Sequence, residues 1–462
     1  MFHVVPPSMS RRLFLSIAAG LLWRQKRADE STRLERIVRS KWPEDLEMPA
    51  AGFADFITPI SQFFVRSHVA VPDVDIATWR LEIDGHVRTP LTLSIKDLRS
   101  MPSFELVSVL ECAGNGRSFY DPPVAGLQWT NGAVGNARWR GVRLVDLLKR
   151  AGIKPGAVEI LFDGVDVPIG AMTDFQRSIP LKKALHPDTL LAFEMNGETL
   201  PVKHGFPLRL VVPGWAGDSW VKWVKGMRVL NEAFNGFWMA NAYRIPVKPV
   251  APGTAVSNAM MKPITSLRLK SVISAPSSDT YLAPNRPIVI RGAAWCGDTA
   301  RVAEVKVSVD SGRSWKPARL IGPSTRFGWR LWEFPWTPSQ EGRYTVLARA
   351  RGSDGDMQPT VQEWNPGGYL WNAAPRLDLL VGIRSPEVAS AGPDVAPAYP
   401  EPQGFRETCL VCHGEDVIRQ QRLTRAQWNR EIDKMAAWGA DVDEDAREEL
   451  VKYLTQIAGP RK

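Results

Sequence analysis

The sequence predicts a multidomain protein: an α+β domain, then an all-β immunoglobulin-like sandwich, then a small all-α domain. Three observations predict it. Residues 45–260 mix short apolar runs bounded by Gly and Pro with segments at helical spacing. Residues 265–385 turn to strict two-residue alternation, with turn residues between the runs. A proline-rich linker at 386–403 then separates these from residues 404–462, where apolar positions again recur at helical spacing. A length of 462 residues is enough for about three domains.

The first 29 residues read as an export signal. Ser10-Arg11-Arg12-Leu13-Phe14-Leu15 is a twin-arginine pattern, and the apolar segment at 13–23 is too short to span a bilayer. A chance Arg-Arg pair before a short helix is the competing reading. No small-x-small cleavage site stands out, so the signal is expected either cleaved or retained, and the destination is the periplasm. The net charge of +9 is concentrated near this end, in Arg11, Arg12, Arg24, Lys26, Arg27, Arg33, Arg36, Arg39 and Lys41. No later stretch shows a basic helix interleaved with aromatic residues, which argues against nucleic acid as a partner. Four cysteines, Cys112, Cys296, Cys409 and Cys412, do not make a disulfide scaffold. Eighteen tryptophans are many, and aromatics at that density line cofactor pockets and interfaces.

In the first domain, Phe63-Phe64-Val65-Arg66-Ser67-His68-Val69 alternates as a strand does, placing Arg66 and His68 on one face. Arg offers a planar fork to an oxyanion and His a ring nitrogen, although a surface Arg beside a satisfied His is the plainer alternative. Residues 94–100 suit a short helix. Residues 106–110 suit a buried strand that runs into Glu111-Cys112-Ala113-Gly114-Asn115-Gly116-Arg117, where two glycines and an asparagine turn the chain. A thiol there faces a pocket, with Arg117 near enough to favour its thiolate, or it simply packs in the core. Residues 144–152 carry a helical pattern and a glycine stop, 158–162 and 190–193 read as strands, and 180–185 as a helical turn. His204 and Arg209 flank a Gly-Phe-Pro turn, and Trp220-Val221-Lys222-Trp223 follows. These separated basic groups lie at strand ends, placed to converge on one anionic cofactor. Tyr243 falls in an aromatic-rich loop opened by Phe237-Trp238.

The sandwich rests on Val305-Lys306-Val307-Ser308-Val309-Asp310-Ser311-Gly312 and on two further alternating runs at 328–336 and 342–350. Cys296 within it reads as packing. Beyond the linker, Cys409-Leu410-Val411-Cys412-His413 reads as a covalent c-type haem site, with Cys409 and Cys412 as thioethers and His413 as proximal ligand. A thioredoxin-like pair and half a zinc site are the rivals, but neither finds its second ligand pair or strand–helix unit. Trp428, Ile432 and Met435 share one face of a helix starting near Arg425. Met435, 22 residues past His413, is the candidate distal ligand. Residues 443–457 form a last helix, and the unit resembles a small class I cytochrome c.

With these residues in hand, the chain resembles the sulfite oxidase family of molybdopterin enzymes over roughly residues 50–385. The resemblance rests on Phe-Phe-Val-Arg-Ser-His, Glu-Cys-Ala-Gly-Asn, Asn-Ala-Arg-Trp-Arg-Gly-Val, Phe-Glu-Met-Asn-Gly and His-Gly-Phe-Pro-Leu-Arg. It implies a sulfite-oxidase-type fold for residues 45–260, with Cys112 as the thiolate ligand of molybdenum. It implies that His68, His204, Arg209 and Lys222 hold the pterin and its phosphate, and that Arg66, Arg117, Trp129 and Tyr243 line the oxyanion pocket. It assigns the sandwich to homodimer formation. Together with the haem motif it implies a periplasmic sulfite dehydrogenase that oxidises sulfite to sulfate and passes electrons through its own haem to an external cytochrome c. Two departures stand out: Gly116 falls where animal members carry a second arginine, and Gly367 where vertebrate members carry one. They leave open a sulfane-sulfur dehydrogenase or another S-oxide substrate, and a non-catalytic electron-transfer subunit remains as an alternative of a different class.

Overall fold

Helix Leu144–Ala151 shows how closely local rules govern the first domain. Leu144, Leu147, Leu148 and Ala151 are all buried, and the helix stops where Gly152 enters the left-handed region at φ +69° and returns its N–H to Leu148. Helix Ile95–Ser100 likewise starts at Ser94, whose side chain and that of Asp97 form a reciprocal capping box. The structure is a computed structural model and describes residues 35–278, 280–382 and 399–460. The twin-arginine region and residues 386–398 of the linker lie outside them.

Two five-stranded sheets share one core. One is antiparallel and joins Ser103–Glu111, Val134–Arg143, Leu190–Met195, Glu198–Thr199 and Arg209–Val211. The other joins Leu91–Leu93, Leu81–Gly85, Val224–Leu230, Glu159–Gly164 and Gln176–Pro180, with one parallel pairing, Val224–Leu230 on Leu81–Gly85. Side chains from both, among them Ile83, Leu110, Trp139, Phe162, Leu191 and Val229, pack into a single buried cluster.

The second unit is a sandwich of two four-stranded antiparallel sheets. Ile290, Trp332, Val305, Val307, Val346 and Leu379 meet between them, which is what two alternating faces must do to leave water. The alternation at residues 305–309 therefore has its expected outcome, in strand Val302–Ser308. Helices Phe405–Cys409, Glu415–Arg419, Arg425–Ala437 and Arg447–Ala458 follow, closing on Phe405, Ile418, Trp428, Leu450, Val451 and Leu454. The chain is thus mostly β, with a helical C-terminal unit.

One expectation fails. Residues 63–69 are not a strand; Val65 alone makes a bridge, to Leu46, with N–H···O distances of 2.9 Å each way. The next amide, Ser67 N–H, goes to the buried Asp45 carboxylate at 3.0 Å instead of to a neighbouring strand. That side-chain acceptor outcompetes a ladder. Arg66 and His68 still reach one cavity, but through this turn and not through a pleat.

The helix carrying Met435 depends on its own capping box, Thr424 with Gln427. Thr424→Ala should cost that helix about 1 kcal/mol. Amide exchange in the first turn of Arg425–Ala437 should quicken roughly fivefold, while the amides of Leu144–Ala151 stay at wild-type rates.

Candidate functional site

Strand Ser103–Glu111 delivers Cys112 at its end. The Cys112 N–H bonds Ala133 O at 2.9 Å and its carbonyl receives Asn115 N–H at 2.9 Å, so the chain turns at once and leaves the thiol facing a cavity. That cavity, of about 70 Å³, is lined by Cys112, His204, Arg209 and Lys222. It shares Arg66, Ser67, His68, Cys112 and Tyr243 with a second, adjoining cavity of about 530 Å³. The thiol is pushed up by burial, against the pull of the Gly114 amide and of Arg66 and Arg117. A bound cation is what would make the thiolate the stable form here.

The small cavity is lined by Lys203, Arg209 and Lys222, with Asp166 and Asp218 also in its wall. Arg209 is buried, and burial pulls its pKa down to about 9. Its Nη1 donates to His204 O at 2.8 Å, and its Nε is buried without a partner. Lys222 lies well below its ordinary value because of burial and then Arg209. Its Nζ donates to Ser67 Oγ at 2.8 Å and sits 3.9 Å from the Trp223 ring centroid. His204 and His68 are likewise held neutral, first by burial and then by neighbouring cations. A buried guanidinium N–H with no acceptor is costly unless a ligand supplies one. These residues fit an anionic cofactor.

Where the two cavities adjoin, His68 Nε2 and Tyr243 Oη stand 2.6 Å apart, and the His68 ring stacks on Phe175 and leans on Trp238 at centroid distances of 4.6 and 4.8 Å. Tyr243 is held at φ +53°, a left-handed backbone that a bulky residue adopts only under constraint. Burial opposes the Arg66 charge, but Asp45, Tyr243 and Cys112 more than offset it and leave its pKa raised. Asp45, 3.4 Å from Arg66, is itself pushed up to about 6 by burial. Trp129 is buried in the wall of the larger cavity. Arg117 also lines it, but its guanidinium is tied to Gly367 O and Leu127 O, each at 3.1 Å, and lies over the Tyr369 ring. Arg66, held by Asp45 and by Ser67 O, lines both cavities, whereas Arg117 lines only the larger.

The two glycine departures have a steric cause. A Cβ on Gly116, at φ +89°, would stand 2.7 Å from the Trp371 side chain. One on Gly367 would meet the Tyr369 ring at 2.3 Å. Aromatic rings take the room that longer side chains would need.

Cys409, Cys412, His413 and Met435 line the same 530 Å³ cavity as Cys112, Arg66 and Tyr243. Its helical side is walled by Ile418, Leu423, Trp428, Ile432 and Leu454. Cys409 and Cys412 are unbridged, and burial raises both thiols, Cys409 to about 11. His413 Nδ1 lies 3.2 Å from Gly414 O, so as a donor it would leave Nε2 free to coordinate. Cys296, by contrast, donates to Ala300 O at 2.9 Å and lines neither cavity.

The helical unit is docked on the first domain through backbone groups. Gln420 Oε1 accepts Gln128 N–H at 2.8 Å, Gln421 Nε2 donates to Gly126 O at 3.0 Å, and Gln427 Nε2 donates to Pro123 O at 2.9 Å. Trp438, at the end of the Met435 helix, packs on Trp238 at 5.4 Å between centroids. Trp238, Tyr369, Trp438 and the three glutamines were not singled out as site residues. The Phe237-Trp238 pair was a visible hint, and the rest carried no local signal.

The fold and site together define a molybdopterin oxidoreductase. Residues 68–238 match the oxidoreductase molybdopterin binding domain, and residues 261–379 the Mo-co oxidoreductase dimerisation domain. The chain is 36% identical to sulfite oxidase of Gallus gallus over 351 residues, covering 73% of this chain and 76% of that one. It is 35% identical to the mitochondrial sulfite oxidase of Rattus norvegicus, covering 74% of this chain but 65% of that protein's length. The sulfane dehydrogenase SoxCD of Paracoccus pantotrophus superposes with a TM-score of 0.66 at 28% identity, covering 77% of this chain and 92% of that one. The chain belongs to the sulfite oxidase family, and its cofactor is molybdenum-molybdopterin.

Replacing Arg209 with Met should weaken cofactor retention by about 10- to 100-fold, the usual cost of removing a charged donor from a buried anion. Molybdenum and pterin per folded chain, measured after gel filtration, check this; full retention would show that Arg209 does not hold the cofactor.

Proposed function

We propose that this is a periplasmic sulfite dehydrogenase: it oxidises sulfite to sulfate at molybdenum and passes the electrons through its own c-type haem to an external cytochrome c. The observation that carries it is the shared cavity, which Cys112 lines on one side and Cys409, Cys412, His413 and Met435 on the other. When bound, the molybdenum cofactor supplies oxygen-atom transfer with a two-electron step, and haem c passes electrons on singly.

The chain's own residues have separable tasks in this reading. Cys112 anchors the metal, and His68, His204, Arg209 and Lys222 hold the pterin and its phosphate. Arg66, whose charge Asp45 helps to keep, attracts the substrate oxyanion. The Tyr243 hydroxyl and His68 ring, 2.6 Å apart, can hold or move a proton at the cavity mouth. Trp129 and Trp238 exclude water. The apolar wall, two unbridged thiols, an imidazole with its Nδ1 near a carbonyl, and a thioether suit a covalent haem ligated by His413 and Met435. The sandwich supports a homodimer, and the twin-arginine pattern supports export of a protein folded around its cofactor.

A second reading, a sulfane-sulfur dehydrogenase, is favoured by the likeness to SoxCD and by the rings that fill the space beside Gly116 and Gly367. Fewer pocket cations suit a less charged substrate.

Mixing sulfite with oxidised protein in a stopped-flow instrument should reduce the haem in wild type. Cys112→Ala should abolish that reduction, by at least about a thousandfold, while dithionite still reduces its haem. A haem that stays oxidised with sulfite but is reduced by a sulfane-sulfur donor moves the assignment to the second reading. Protein with full haem and no molybdenum would defeat both.

A further inference from the structure

Glu111 immediately precedes the cysteine, and nothing in the chemistry above employs it. Its carboxylate is nonetheless fully engaged. One oxygen accepts Asn115 Nδ2 at 2.8 Å and Lys270 Nζ at 3.1 Å, and the other accepts Trp295 Nε1 at 2.7 Å. All four residues are buried: Glu111 is 6% exposed, Lys270 2%, Asn115 1% and Trp295 1%. Lys270 and Trp295 belong to neighbouring strands of the sandwich, Lys270–Ala275 and Ile288–Trp295, and pair directly in register. Asn115 carries the link onward. Its Oδ1 accepts Ala133 N–H at 3.0 Å, and Ala133 O accepts the Cys112 N–H at 2.9 Å.

A lysine–carboxylate pair this far from water seldom stabilises a fold more than apolar side chains of the same volume would. Satisfying every polar atom, as here, makes such a network rigid and directional. The rigid direction is that of the turn on which the thiol is mounted. We propose that the sandwich sets the orientation of Cys112 through this carboxylate, so that Lys270 and Trp295 are positioning residues for the molybdenum site in addition to any part the sandwich plays in dimerisation. The inference rests on the reading of Cys112 as the metal ligand. Groups behind a ligand commonly change activity by about 10- to 100-fold when removed, because they fix its direction.

The test uses the full-length protein loaded with cofactor, in the variants Lys270→Met, Lys270→Arg, Trp295→Phe and Cys112→Ser. Trp295→Phe removes the N–H donor and part of the ring, and keeps an aromatic face against Phe53. The readouts are molybdenum per folded chain, the Mo(V) paramagnetic resonance signal, and kcat against KM. Lys270→Met and Trp295→Phe should keep their molybdenum and an unchanged KM, shift the Mo(V) signal, and lose about tenfold in kcat; Lys270→Arg should recover most of both. A wild-type signal and kcat in Lys270→Met and Trp295→Phe overturns the proposal. So does activity that falls only in step with lost molybdenum or lost folded protein, which would make the network a folding element. If Lys270→Met does not fold, Trp295→Phe decides by the same readouts, and failure of both to fold also counts against positioning. Cys112→Ser separates the underlying reading: an unchanged Mo(V) signal there would show that Cys112 is not the ligand.

Discussion

Arg209 is buried with no carboxylate partner among the described residues, and much of the first domain exists to tolerate it. Its guanidinium keeps one hydrogen bond, to His204 O, and leaves Nε without an acceptor. Burial lowers its pKa to about 9, yet it remains a cation near neutral pH. Lys222 adjoins it under the same burial, and His68 and His204 stay neutral first because they are buried and then because neighbouring cations repel a further proton. Such an arrangement costs stability in isolation and recovers it when an anion enters. The site is therefore coupled to its cofactor: filling it should stabilise the fold as well as enable the chemistry.

The geometry that pays for this constraint is spread over the whole chain. One sheet presents the cysteine at a strand end, and strand Arg209–Val211 of the same sheet, paired with Leu190–Met195, brings the arginine. The sandwich supplies Tyr369 to the wall and Lys270 and Trp295 behind the thiol turn. The C-terminal helices close the far side through glutamine bonds to the loop that leads into Trp129. The small cavity lies wholly within the first domain, whereas the larger one is walled by all three units.

That division explains what the sequence disclosed. Cys112 and the Cys-x-x-Cys-His run stand out in the sequence because each is a contiguous pattern, and the fold brings both to the larger cavity. Helix Leu144–Ala151 and the sandwich strands were legible because their periods are uninterrupted. Residues 63–69 misled because their alternation is genuine, while the hydrogen bond that decides the backbone comes from Asp45, 22 positions away. Arg117, which the family resemblance places in the pocket, lines the larger cavity with its guanidinium bound to carbonyls at 127 and 367, contacts that no local pattern discloses. Tyr369 and Lys270 had no pattern at all, since their importance arises only when the sandwich folds back over the cysteine loop.

The docking of the helical unit bears on how electrons would leave. A carrier on a loose tether must find its site by diffusion at each turnover, whereas a docked one holds a fixed distance. Here the contacts are backbone-directed: Gln420, Gln421 and Gln427 read main-chain groups at 123–128, and Gly414 N–H meets Trp42 O at 2.7 Å. Bonds to main chain are insensitive to side-chain identity but demanding of geometry, so they fix one orientation without needing a large apolar interface. Trp438 adds the apolar part, packed on Trp238, which in turn touches His68 and lies near Tyr243. The residues around Cys112 and those around the Cys-x-x-Cys-His run are thereby held against each other, and the shared cavity is a consequence of that docking.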